Sequence, residues 1–195
     1  MRIRTRVGIV VVAFPFWTGC VSVEPYPSTW APPATASDVV CPAISGTFMN
    51  QGERGSTSYK PRLSDHFFLD DVAAGRADEV DLRLVNPNVL EVGLRANGSV
   101  LRNRTIHDFF CDRGFVVLRN RQFINRDGVL AAEKAVTSLG LSVDGALIVK
   151  AEISGVGTMF LVPAVSSSTS WSRHKPSASA SNKALQTDAP QAPRR

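Results

Sequence analysis

From residue 79 onward the apolar residues recur with a period of two, and no other feature of the chain limits its fold as strongly. Val80, Leu82 and Leu84 alternate with Asp81 and Arg83, and Leu90, Val92 and Leu94 alternate with Glu91 and Arg95. Successive side chains of a strand point to opposite faces, so the pattern predicts half-buried antiparallel strands. Asn86-Pro87-Asn88 ends the first run, and Asn97-Gly98 predicts a two-residue hairpin into a partner strand over 99–106, with Leu94 facing Leu101. Gly114 introduces a buried strand over 115–118, and Asp127-Gly128 turns into 129–136, where alanines and Glu133-Lys134 leave strand and helix both open. Residues 139–143, Asp144-Gly145 and 146–153 form a second hairpin, and Gly155-Val156-Gly157 leads into 158–165. Strands at this spacing, joined by short Gly-containing turns, predict a mainly β domain.

Ahead of the alternation, residues 63–68 (LSDHFF) have the form of a helix start. Ser64 is placed to cap the free amides, Asp65 suits the positive end of the dipole, and Leu63 with Phe68 match a hydrophobic staple. The expected fold is therefore an antiparallel meander of about seven or eight strands, or a small barrel, with one short helix over about residues 65–74 that stops near Gly75. Gly46-Thr47-Phe48 followed by a meander resembles the lipocalin-like barrels, a likeness of architecture alone.

The first twenty residues carry an address rather than a fold. Arg2, Arg4 and Arg6 precede an apolar run over 7–16 (VGIVVVAFPF), the length of a signal peptide's core and too short to span a bilayer, which takes roughly 20 such residues. Trp17-Thr18-Gly19-Cys20 follows, and here the chain resembles the lipobox of bacterial lipoproteins, with Trp17 in the place usually held by an aliphatic residue. That resemblance implies cleavage before Cys20 and its modification with acyl chains such as palmitate. Val21 and Ser22, in place of an Asp after the cysteine, imply the periplasmic face of the outer membrane. The other reading of the leader is an ordinary cleaved signal with Cys20 as a free or paired thiol. If Cys20 is lipidated, Cys41 and Cys111 remain as an even pair in an exported chain and are expected to form a disulfide; the alternatives are a reactive thiol or a metal ligand pair.

These signals divide the chain into a leader (1–19), a Pro-rich tether (20–40), a β-rich domain (41–173) and a disordered tail (174–195). Residues 41–48 (CPAISGTF), with Trp171 near the domain's end, resemble small proteobacterial lipoproteins to which no activity is attached, and the end of the tail resembles proteins encoded in integron cassettes. The net charge of +5 resides in the appendages, since leader and tail leave residues 20–171 at about −2, which argues against a nucleic-acid partner. Arg102, Arg104, Arg113, Arg119, Arg121 and Arg126 form a local exception. They suit either contact with an anionic envelope polymer, for which Arg102 and Arg104 are the first candidates, or a salt-bridged solvated face near Asp108, Asp112 and Asp127.

The chemistry-bearing residues form no recognisable motif. His66, His107 and His174 lack the spacing of metal ligands or of a triad, the last lying in the expected tail, and neither catalytic residues nor a cofactor is expected. Phe67, Phe68, Phe109, Phe110 and Phe115 suit a core or the lining of an apolar cavity. The expected function is that of an envelope binding or interaction module held to the membrane by its N-terminal lipid. The alternatives are a hydrolase or other enzyme acting on envelope polymers, with His66 or His107 meeting a carboxylate in a cleft, and a carrier of an apolar small molecule.

Overall fold

The computed structural model describes residues 19–34, 41–55, 57–69, 71–126, 129–159 and 162–178. The leader before Gly19, the Asp127-Gly128 turn and the cassette-like end of the tail lie outside the described residues.

Two sheets face one another. Gly46–Met49 (β2), Glu79–Asn86 (β3), Val89–Ala96 (β4) and Ser99–Ile106 (β5) form a four-stranded antiparallel sheet in sequence order. Gly19–Val23 (β1), Phe109–Asp112 (β6), Phe115–Arg126 (β7), Val129–Leu141 (β8), Leu147–Met159 (β9) and Val162–His174 (β10) form the other, in the order β1-β10-β9-β8-β7-β6. Apart from β1, which joins β10 in parallel, each sheet is a meander. The antiparallel meander expected from the alternation is thus present, whereas the barrel is not: among the described residues each sheet ends on two edges.

The core lies between the sheets. Val80, Leu82, Leu90, Val92 and Leu94 point from the small sheet toward Val116, Leu118, Leu139, Leu147 and Val149, and Ile44, Leu63 and Phe67 fill the remaining space. Each such side chain contributes roughly 1.5–3 kcal/mol on burial. The sheets are stitched along one side where the chain after β2 meets the chain after β10. There Met49 N–H donates to Lys175 O (2.9 Å), Ser177 N–H donates to Thr47 O (2.8 Å), and Glu53 and Arg173 exchange backbone bonds of 2.9 and 3.0 Å. On the other side the Cys41–Cys111 disulfide ties the approach to β2 to β6, with Cα atoms 5.1 Å apart.

Several details differ from the sequence expectation. Instead of a helix over residues 65–74 there is one 3-10 turn, Leu63–His66, followed by separate turns, because the intended cap is used elsewhere. The Ser64 N–H donates to Asn50 Oδ1 (2.8 Å) and its hydroxyl donates to Ala74 O (3.1 Å), while the fully buried Asn50 amide also donates to Ala77 O (2.8 Å). One buried amide thus holds an irregular excursion that helical hydrogen bonds would otherwise have to satisfy. The Asn97-Gly98 turn forms with both φ angles positive (50° and 76°), as a two-residue hairpin of this twist requires. A bulge between Leu94 and Arg95 then sets Arg102, not Leu101, opposite Leu94. Residues 129–136 are strand, sharing the ladder of β7 and β9.

Both expected appendages also pack in part. Residues 20–34 lie on the large sheet rather than forming a free tether, through Glu24 N–H to Thr169 O (3.0 Å), Ala34 N–H to Leu141 O (2.7 Å) and Val143 N–H to Pro32 O (3.0 Å). Residues 174–177 belong to the seam between the sheets, so the folded unit extends beyond residue 173.

Candidate functional site

The alternation of the large sheet aims one set of side chains into the core and a second set outward. Because Cys111 must face Cys41, its neighbours Phe110 and Asp112 face away from the core, as do Phe115, Val117 and Arg119 on β7. The register then assembles rows across the strands. Phe110, Val117, Ser138, Lys150 and Trp171 are successive partners from β6 to β10, and Arg119, Val136, Glu152 and Thr169 form the adjacent row. These rows line an open groove of about 500 Å³ on the outer face.

Three aromatic rings and four cations meet there. The Arg119 guanidinium lies 4.4 Å from the Phe110 ring centroid and Lys150 Nζ 5.6 Å from that of Trp171, both within cation–π range. Lys150 also pairs with Glu152 (2.9 Å) and Arg113 with Asp112 (3.4 Å), whereas Arg119 and Lys134 have no carboxylate partner among the described residues. Phe115 lies over Gly140, where an added Cβ would come within 2.8 Å of its ring; a glycine at this position lets the ring lie flat on the sheet. The other end of the groove is closed by residues 24–30. Tyr26 meets Trp171 edge-on with centroids 5.1 Å apart, and Trp171 Nε1–H donates to Glu24 O (3.1 Å). Burial raises the pKa of the Tyr26 phenol, which keeps it a neutral donor to Ala31 O. Such a surface presents flat apolar contacts with positive charge beside them, and suits an elongated anion with apolar faces.

The residues singled out in the sequence fall in different places. Arg102 and Arg104 share a face of β5 but are engaged, Arg102 with Asp71 (3.2 Å) and Arg104 with Phe67 O. Arg119 and Arg121 share the outer face of β7, so the basic surface lies there rather than on β5. Cys20 is an exposed thiol in β1, opposite Ser166. Phe67, Phe68 and Phe109 belong to the core, and Phe110 and Phe115 to the groove. Lys134, Lys150 and Trp171 carry no local motif; only the strand register places them in the groove.

The histidines divide between a cleft and the interior. His66, His107 and Asp108 line one inter-sheet cleft of about 320 Å³ with Arg104 and Thr137, yet no hydrogen bond joins them. Burial lowers the pKa of His66, and the carboxylate that partly offsets this is its neighbour Asp65. His174, expected in a disordered tail, is fully buried. Its Nδ1–H donates to Met49 O (3.1 Å), which leaves Nε2 to accept from the Ser172 hydroxyl (3.1 Å). This serine–histidine pair resembles a nucleophile with its base, but Ser172 is 6% exposed and His174 0%, so no substrate reaches it. Gly52 makes room for the ring: a Cβ there would lie 2.5 Å from His174 Cε1. Desolvation pushes the His174 pKa down to about 4, with His66 adding to the effect. Among the described residues no three His, Cys, Asp or Glu side chains converge as metal ligands, and no helix is long and apolar enough to cross a membrane. No protein family, curated protein or solved structure matches the chain.

Proposed function

We propose that this protein is a lipid-anchored binding module of the bacterial cell envelope, held through Cys20 at the periplasmic face of the outer membrane, and that its outer groove takes an anionic envelope polymer. One observation carries the binding reading: Phe110, Phe115 and Trp171 converge on an open sheet face with Arg113, Arg119, Lys134 and Lys150 against only Asp112 and Glu152. The lipobox-like leader and the Cys41–Cys111 disulfide, which suits an oxidising compartment, support the envelope. A carrier reading finds less support, because Phe48, Phe67 and Leu139 fill the space between the sheets.

Titration of tryptophan emission with purified lipopolysaccharide and with dextran sulfate tests the groove, with neutral dextran as control. The anionic polymers are expected to change the emission, and Arg119→Ala combined with Phe110→Ala to weaken binding about tenfold, in the range of one charge-assisted and one aromatic contact. Equal response to neutral dextran, or unchanged affinity in the double variant, sinks the reading. The cleft lined by His66, His107 and Asp108 favours a second one, an enzyme acting on envelope polymers. It predicts a hydrolytic activity abolished by His107→Ala, and an activity untouched by that change removes it.

A further inference from the structure

We infer that the end of the large sheet remote from the core is a lipid-facing surface that lays the domain against an anionic bilayer. This rests on the membrane anchor proposed above and adds to it a second contact and an orientation.

The small sheet covers only part of the large one. Among the described residues the hydrophobic core takes no member from β7 after Leu118, from β8 before Leu139 or from β9 after Val149, so the strands run on past the small sheet. On the outer face of this extension the register builds two rows. The first is Arg121, Lys134, Ser154, Ser167 and Val21, each opposite the next across β7, β8, β9, β10 and β1. The second, one step nearer the strand ends, contains Ala132, Val156 and Val165, ending at Gly19. A groove of about 480 Å³ runs between them.

Arg121 and Lys134 are directly opposed on an antiparallel pair, an arrangement of like charges that costs stability. Neither has a carboxylate partner among the described residues, and Glu133, which alternates with Lys134, points to the other face. Two uncompensated cations in one row with the hydroxyls of Ser154 and Ser167 suit a surface of phosphate groups, which accept hydrogen bonds from such donors. Val156 is 60% exposed and Val165 39%, and both sit on the strand-end side of those cations. The order from the core outward is therefore charge and then apolar side chain, as in a surface that meets headgroups first and acyl chains beyond them. Cys20 pairs with Ser166, next to Val165, so the anchored residue itself lies at this same end of the sheet. The acyl chains on Cys20 hold the domain at the bilayer, and this neighbouring surface fixes which side of it meets the headgroups.

The test uses the full chain with vesicles of phosphatidylglycerol and phosphatidylethanolamine carrying brominated acyl chains, and reads quenching of an added tryptophan. Val156→Trp is expected to be quenched several-fold more than Val143→Trp, which reports the opposite end of the sheet. Arg121→Glu in the Val156→Trp background is expected to halve the added quenching or reduce it further, whereas Arg76→Glu leaves it unchanged. Inorganic phosphate in excess leaves the quenching intact. Equal quenching at positions 143 and 156 in a chain that sediments with vesicles overturns this inference and spares the anchor. Indifference to Arg121→Glu, or full displacement by inorganic phosphate, also overturns it. A chain that does not sediment with vesicles overturns the anchor and this inference together.

Discussion

The two halves of the large sheet share strands and a continuous ladder but have opposite relations to water. In the half beneath the small sheet, Val116, Leu118, Leu139, Leu147 and Val149 are buried, the turn at Asp144 is tied down by Ser142 and Arg173, and residues 24–34 cover part of the outer face. In the remote half the described positions of β8 to β10 hold Ala, Gly, Ser and Thr with a few charges, and Ile153, Val156 and Val165 stay exposed. None of the described side chains of that half belongs to the hydrophobic core, and the ladder itself needs no particular side chain. Stability and surface function are thereby separated along one set of strands.

Removing the disulfide is the largest expected break. Cys41→Ser with Cys111→Ser frees a loop closed over a sequence separation of 70, for which the chain-entropy model gives about 4 kcal/mol. Denaturant unfolding is expected to show most of that loss. Hydrogen exchange should accelerate in β6 and the small sheet, whereas amides of the remote half, already the least protected, change little. A loss below about 1 kcal/mol means the two sheets hold together without the bridge.

Truncation in the two halves sharpens the contrast. Leu139→Ala is expected to cost about 3 kcal/mol, with a cavity left between the sheets, and Val156→Ala less than about 0.5 kcal/mol. Similar values for the two in chemical denaturation would remove the distinction between a packed and a bare half.

Acid acts on the packed half through His174. The folded pKa of His174, about 4, lies below its ordinary value of 6.5, so the unfolded chain binds the proton more readily between those values. Stability is therefore fully retained above about pH 7 and falls as the pH drops through 6.5 toward 4, by about 3 kcal/mol in total. A His174→Asn variant should show a flatter pH profile over that window, and an unchanged profile shows that another group governs the acid response.

One further expected effect has the opposite sign. Arg121→Glu places a carboxylate opposite Lys134 and turns a repulsive cross-strand pair into an attractive one, for a gain of up to about 1 kcal/mol. The melting temperature should hold or rise while membrane contact falls; a lower melting temperature would mean that Arg121 supports the fold rather than a ligand.

Much of the architecture was legible because alternation and turn chemistry are local. Asn97-Gly98 forms the hairpin it announces, residues 80–84 and 90–94 bury alternate side chains, and Cys41 pairs with Cys111. The helix start at residues 63–68 was misleading because the Ser64 hydroxyl, which would cap the free amides of a helix, donates to Ala74 O instead, while Asn50, more than ten positions away, takes the Ser64 N–H. The candidate site was the least legible part. Arg102 and Arg104 stood out by clustering, but Asp71 and Phe67 O engage them, while Lys150 and Trp171 became neighbours only through the pairing of β9 with β10. A tail rich in Ser and Pro likewise concealed His174, whose burial depends on the space above Gly52.

The sequence by itself determined the period of the strands and the position of the tight turns, because each depends on the intrinsic geometry of a few adjacent residues, and it pointed to the Cys41–Cys111 pair once Cys20 was set aside as the lipidated residue. Only the tertiary structure decided that the meander stays open as two sheets, that residues 20–34 lie on the fold, and which basic side chains remain free. Those outcomes depend on register and on which surface covers which, and contacts between residues distant in the chain set both.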